Sequence, residues 1–245
     1  MREEQKTVIR IMRSLGRRFG VRTIITSRET ILYDYKTNTI KYNPKVIVET
    51  CIGLLGRFSP ECAIAAFFHE YAHKKQDEMC PGLPEKRRQT GKLLSENRLP
   101  PKVIMGLLDV LWDSQLWSSF YASVLPDEYR ELCLKIQREL LEKSLDFCIT
   151  GLMVLEPTTI KDRIDIVENL IDATAYSMAL KCEERANNTI RAFHPELIGF
   201  YEDWKELVRK AMGSKDPCVL IELSDELVNI VQKRELARYI YVGRW

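Results

Sequence analysis

Apolar residues recur every three or four positions along most of the chain, which is the spacing of amphipathic helices. Between residues 3 and 19, Val8, Met12 and Leu15 share one side of such a helix, and Gly20 follows at its end. The same pattern predicts further helices over residues 45–56, 59–76, 102–125, 126–145, 160–186, 197–212 and 224–238. The chain is therefore predicted to be mostly α-helical.

Three short segments near the N-terminus have the character of strands. Residues 21–26 alternate in side-chain type, and residues 31–35 and 39–43 flank the turn-forming triplet Lys36-Thr37-Asn38. Two such runs separated by a short polar turn predict a β-hairpin. We therefore expect an α+β fold that is mostly α-helical, with a small three-stranded sheet followed by a C-terminal helical bundle.

The helix predicted over residues 59–76 carries the pattern H-E-x-x-H. Ser59 is a suitable N-cap and Pro60 a suitable first helical residue, so the start of this helix is well signalled. His69 and His73 are four residues apart and share one face, where both imidazoles can bind one Zn²⁺ at about 2.0–2.1 Å. Glu70 lies to one side, and its carboxylate can reach a water at the open position of the metal.

The alternative interpretation is a helix that carries two structural histidines by coincidence. The chain contains three histidines, so only about 0.003 matches to H-E-x-x-H are expected by chance. The apolar residues 63–68 also predict that His69 and Glu70 are buried, and buried polar groups need partners. We therefore favour a metal site.

The motif at residues 69–73, preceded by the strand segments 31–35 and 39–44, resembles the core of a zincin metallopeptidase. It is most similar to compact gluzincin-like and predicted archaeal metallopeptidases. The resemblance covers roughly residues 1–125, and it implies a zincin-like metallopeptidase core over 1–125 with a helical extension packed on it over 126–245. It further implies that an edge strand binds an extended peptide substrate through Thr39, Ile40, Lys41, Tyr42 and Asn43.

Two pairs of carboxylates could complete the metal site. Asp109 and Asp113 are four residues apart and are the only charged residues between Val103 and Leu125, so their burial would require a cation and a donor. The resemblance implies that one of the two binds zinc and the other orients a histidine ligand. Glu168 and Asp172 have the same spacing and are the alternative, with Glu168 as third ligand and Asp172 orienting a histidine.

These residues predict a zinc-dependent metallopeptidase. The metal would lower the pKa of its bound water, Glu70 would accept the proton as general base, and the same residue would return it to the leaving amine. Tyr121, Tyr176 and His194 are the candidates for stabilising the oxyanion. The alternative is a catalytically degenerate zincin-fold protein that acts as a metal-containing binding or regulatory module.

Composition narrows the remaining classes of function. The 37 basic and 35 acidic residues nearly balance, so no overall charge indicates a nucleic-acid partner, and we interpret Arg10, Arg13, Arg17 and Arg18 as a solvated helix face. Seven cysteines without paired spacing or a signal peptide predict reduced thiols in the cytoplasm. Asp109 and Asp113 argue against a membrane span over 103–125, so a peptide or protein substrate is the predicted partner.

Overall fold

The computed structural model describes residues 2–28 and 31–242 of the 245-residue chain. The three strands are β1 (Arg22–Ile25), β2 (Ile31–Asp34) and β3 (Thr39–Tyr42). The helices are α1 (Glu3–Arg18), α2 (Pro44–Leu55), α3 (Pro60–Met79), α4 (Leu83–Glu96), α5 (Pro101–Leu116), α6 (Ser119–Val124), α7 (Asp127–Val154), α8 (Ile160–Ala179), α9 (Glu183–Phe193), α10 (Ile198–Gly213), α11 (Val219–Lys233) and α12 (Leu236–Val242). The predicted α+β fold, mostly helical with a small three-stranded sheet, is confirmed.

The sheet has the strand order β1-β3-β2. β2 and β3 form the predicted antiparallel hairpin, with Tyr33 opposite Ile40. β1 runs parallel to β3 on the other side, with Thr23 opposite Ile40. β3 is therefore the central strand, and the expectation that residues 39–43 form a sheet edge is wrong.

Local sequence signals define several helix ends. Asn43 caps α2, since its Oδ1 accepts a hydrogen bond from the Lys45 N–H at 3.0 Å. Thr159 caps α8 in a reciprocal capping box with Asp162. Gly56 ends α2 at a φ of 75°, a left-handed conformation that glycine adopts without strain.

Other predicted helices have different limits. The segment 102–125 is divided into α5 and α6, and the segment 160–186 ends at Ala179 before α9 begins. The helix predicted over 224–238 begins earlier, at Val219, so Ser224 lies inside α11 and donates to the Leu220 carbonyl oxygen. The aromatic and β-branched composition of residues 239–245 is typical of a strand, but the segment is helical in α12 up to Val242. Residues 243–245 lie outside the described residues.

The chain forms two compact units, the first comprising Met1–Met79 with Tyr121–Lys143 and the second Cys80–Phe120 with Ser144–Trp245. The predicted division into a core over 1–125 and a helical extension packed on it over 126–245 stays a prediction. In the first unit, α1 and the sheet pack against α3. Phe19 lies 5.2 Å from Phe68, and Phe68 lies 4.8 Å from Tyr129, measured between ring centroids. These edge-on and tilted aromatic contacts fix α3 within the unit.

The second unit is a helical bundle with a continuous apolar core. α5 packs against α8 and α10, and α11 packs against α4 and α10. Trp204 is fully buried in this core, and its indole N–H donates to the Ile171 carbonyl oxygen at 3.2 Å. The C-terminal helices α8–α12 form this bundle together with α4 and α5, which precede the segment 126–245 predicted to form it.

Four of the seven cysteines are paired. Cys51 and Cys62 form one disulfide in the first unit, and Cys80 and Cys218 form another in the second. The expectation that all cysteines are reduced thiols is therefore wrong, because spacing along the chain carries no information about which cysteines meet in space. Disulfides occur in oxidising compartments and also inside cells of extreme thermophiles, so the cytoplasmic location stays a prediction.

No single helix in the described residues is both long and apolar enough to cross a bilayer. The helices α2 and α3 pass that test only as a pair, and they are bent by 114° at the break between them.

Candidate metal centre

The helix α3 begins where its sequence signals predict. Pro60 is its first residue, the Ser59 Oγ accepts a hydrogen bond from the Glu61 N–H at 3.3 Å, and the Cys62 N–H donates to the Ser59 carbonyl oxygen. α3 then continues without interruption to Met79. Because the helix is regular, the four-residue spacing places His69 and His73 on one face.

The two imidazoles lie side by side. Their ring centroids are 5.0 Å apart, and the ring planes are nearly perpendicular. His69, His73 and Asp113 each offer one ligand atom, and these three atoms all lie within 4.8 Å of one another. All three residues are partly exposed. The three residues could therefore hold a metal ion.

His73 is held in a defined orientation by Gln76. The His73 Nδ1 lies 2.8 Å from the Gln76 Oε1, and the Gln76 side chain is fully buried. An Nδ1–H that donates to this oxygen leaves the lone pair on Nε2 available for a metal. Gln76 is not among the site residues predicted from the sequence, although its position three residues after His73 places it on the same side of α3.

Glu70 is the buried acidic residue of the motif. It is only 6% exposed, and the described part of the chain contributes no ion pair or hydrogen bond to its carboxylate. A carboxylate in such a position requires water or a cation as its partner, since an isolated buried charge is costly. Whether Glu70 acts on a water molecule stays a prediction.

Asp109 has a different environment from Asp113. Its carboxylate pairs with the guanidinium of Arg87 on α4, and its side chain is 48% exposed. The Arg87 guanidinium also lies over the Trp112 ring at 5.5 Å from its centroid. The energetic argument that both aspartates on α5 are buried without a protein cation is therefore wrong for Asp109.

Glu168 also has a protein cation. Its carboxylate pairs with the Lys102 Nζ, which lies 3.0 Å from Asp165 as well. Burial raises the pKa of Glu168, and the hydrogen bond from Lys102 opposes this effect. Neither Glu168 nor Asp172 belongs to the group formed by the two histidines and Asp113. Which carboxylate binds the metal stays a prediction.

Glu168 and Asp172 instead line a cavity of about 530 Å³ in the second unit, together with Lys102, Cys148 and Asn169. Burial raises the pKa of Asp172 to about 7, with a further contribution from the negative charge of Glu168. At neutral pH this carboxyl group is therefore close to half protonated.

We expect Asp172→Asn to stabilise the second unit above pH 7. The carboxyl binds a proton in the folded protein up to about pH 7 but releases it near pH ~3.9 when unfolded. The contribution of Asp172 to the free energy of unfolding is therefore fully present below about pH 4, and it is lost as the pH rises toward 7. The free energy of unfolding that Asp172 contributes should fall by roughly 2–4 kcal/mol between about pH 4 and pH 7, after allowance for its partial exposure.

The measurement is the free energy of unfolding by urea between about pH 4 and 8 in the presence of EDTA. The wild-type curve should fall toward neutral pH relative to that of Asp172→Asn, and the exposed control Glu131→Gln should parallel the wild type. Parallel curves for wild type and Asp172→Asn would show that Asp172 has an ordinary pKa.

The residues predicted to bind substrate have structural roles. Thr39, Ile40 and Tyr42 are fully buried. The Lys41 Nζ lies 2.6 Å from the Asp34 carboxylate, and Asn43 caps α2. Because β3 is paired on both sides, its backbone cannot accept a further strand. The expectation of an edge strand failed because the order of strands depends on pairing between distant segments. Contact of these residues with a substrate stays a prediction.

Two of the three oxyanion candidates are enclosed by protein. Tyr121 and His194 are each 1% exposed, and the His194 Nε2 donates to the Leu152 carbonyl oxygen at 2.8 Å. Neither side chain can reach a substrate in this arrangement. Tyr176 packs edge-on against Trp117, with ring centroids 5.2 Å apart, and its role stays a prediction.

Comparisons with known proteins do not assign the chain to a family. No protein-family model, curated protein or solved structure matches the chain.

Proposed function

We propose that the protein is a zinc-dependent peptidase whose centre is built on α3. The observation that carries this proposal is the buried Glu70 between His69 and the oriented His73. A purely structural metal site has no use for a carboxylate that lies beside the ligands without a protein partner. Such a carboxylate is useful for proton transfer from water.

The donor set favours zinc among the common metals. Two imidazoles with one carboxylate, offered by His69, His73 and Asp113, form a set that borderline-soft Zn²⁺ accepts. Magnesium and calcium prefer oxygen donors alone. Three protein ligands also leave one position for water, as in catalytic zinc sites, whereas structural sites use four protein ligands.

His69, His73 and Asp113 would hold the zinc, which when bound would lower the pKa of a water molecule and polarise a substrate carbonyl. Glu70 accepts the proton of that water and later delivers it to the leaving amine, so that it ends the cycle ionised as it began. Gln76 keeps His73 in one tautomer during these steps, because its amide oxygen accepts the Nδ1 proton.

The peptide would lie along β2 and not along β3. β2 is an edge strand that packs on α3, and no strand in the described residues pairs with its outer side. An extended peptide can therefore add to this edge through backbone hydrogen bonds. Leu32 is exposed on β2 and could contact a substrate side chain.

The test is metal content together with hydrolysis of unfolded fluorescein-labelled casein and quenched peptides. We expect about one zinc per chain, loss of hydrolysis on removal of zinc by dipicolinate, and recovery when zinc is restored. Hydrolysis that survives complete metal removal would overturn the proposal. Bound zinc without hydrolysis of any substrate would instead indicate a metal-containing binding module.

A further inference from the structure

One face of α1 is occupied by basic side chains. Lys6, Arg10, Arg13 and Arg17 are all exposed, and at 100° per residue they fall within an arc of roughly 60°. The opposite side of the helix is buried through Val8, Met12 and Leu15.

These side chains line a groove between α1 and β1. The groove has a volume of about 700 Å³, and Arg22 at the start of β1 adds a further exposed guanidinium to it. Its base is formed where α1 approaches β1 closely. A Cβ added to Gly16 would lie only 2.6 Å from the Val21 carbonyl oxygen and 2.7 Å from the Thr23 methyl carbon.

The arginines of this groove are not neutralised by the protein. In the described part of the chain, Arg10, Arg13, Arg17 and Arg22 form no ion pair. Arg18, outside the groove, pairs with Glu128. Lys6 pairs with Glu3 through two largely exposed side chains, a contact of small energy that a ligand can replace. Four unneutralised guanidinium groups in one groove indicate an anionic ligand.

We propose that this groove binds the phosphate backbone of a nucleic acid. The residues of α1 rise about 1.5 Å each, so Lys6 and Arg17 are separated by about 16 Å along the helix. This length passes roughly five phosphates of one DNA strand. The planar guanidinium fork matches the oxygens of a phosphate.

The composition of the groove favours this ligand over a membrane surface. A membrane-bound amphipathic helix inserts an exposed apolar face, whereas the apolar face of α1 is already buried. Among the described residues that line the groove there is no aromatic side chain on which a base could stack. The contact is therefore made to phosphates and carries little base specificity.

The inference is tested by fluorescence anisotropy of the full chain with labelled single-stranded and duplex DNA of about 30 nucleotides, at salt from about 50 to 200 mM. EDTA is present, so the result is independent of the metal centre. The triple variant Arg10→Gln, Arg13→Gln, Arg17→Gln should bind at least roughly tenfold more weakly. Its slope of log K against log salt should be smaller by about 3.

A matched control removes three exposed lysines outside the groove, Lys143→Gln, Lys161→Gln and Lys215→Gln, and should bind like the wild type. If the triple arginine variant does not fold, as judged by circular dichroism, each single arginine variant should lower the slope by about 1. The proposal is overturned if the wild type does not bind at low salt, if all variants bind alike, or if the groove binds phosphatidylserine vesicles but not DNA.

Discussion

Glu70→Gln should retain the metal and lose hydrolysis. The glutamine side chain keeps the size of Glu70 but cannot accept a proton, so the step assigned to the carboxylate is removed without opening a cavity. General acid–base groups contribute roughly 10²–10⁴-fold to rate, and we expect kcat to fall by that factor. The measurement is kcat on a quenched peptide beside zinc content by atomic absorption.

The control for this variant lies on the same helix. Glu61 is in the first turn of α3 and is exposed, so Glu61→Gln should keep both zinc and activity. Loss of zinc from Glu70→Gln would mean that Glu70 is a ligand, and the proposed mechanism would then fail. Full activity of the variant would exclude Glu70 from proton transfer.

Loss of either histidine should remove the metal. His69→Ala and His73→Ala each leave two of the three proposed ligands, and a zinc site with two protein ligands does not hold the ion during dialysis. Asp113→Ala should weaken zinc binding, because it removes the third proposed ligand.

Gln76→Leu should lower zinc affinity by roughly 10–100-fold. The substitution removes the hydrogen bond that orients His73 while it leaves the ligands intact.

Two acidic residues provide the controls for the third ligand. Asp109 pairs with Arg87 and Glu168 pairs with Lys102, so Asp109→Ala and Glu168→Ala should change zinc affinity little. Isothermal titration with zinc after chelation distinguishes these outcomes. If Glu168→Ala abolishes zinc binding and Asp113→Ala does not, the third ligand is Glu168. Retention of zinc in both histidine variants would exclude a metal centre on α3.

Charged groups are paired within the protein at the cavity around Asp172, whereas the arginines of the groove along α1 are not, in the part of the chain that the structure describes. Glu168 and Lys102 satisfy each other at the cavity, and the unusual group there is a carboxyl whose pKa is raised by burial. The groove residues Arg10, Arg13, Arg17 and Arg22 form no ion pair within the described residues. The overall charge of +2 concealed this local concentration of basic groups, because composition averages over the surface.

The sequence by itself determined the features that depend on neighbouring residues. Ser59 and Pro60 define where α3 begins, and helical periodicity then places His69 and His73 on one face. The turn at residues 36–38 similarly defines the β2–β3 hairpin. Each of these features follows from interactions within a few residues, so a single segment contains the necessary information.

Only the tertiary structure decided which distant groups meet. Helical spacing puts Asp109 and Asp113 on the same side of α5, but Arg87 from another helix pairs with Asp109. Pairing of β1 with β3 made β3 the central strand. The partners of the cysteines were decided in the same way. Periodicity along a chain specifies which face a residue occupies, whereas the group opposite that face is set by packing of remote segments.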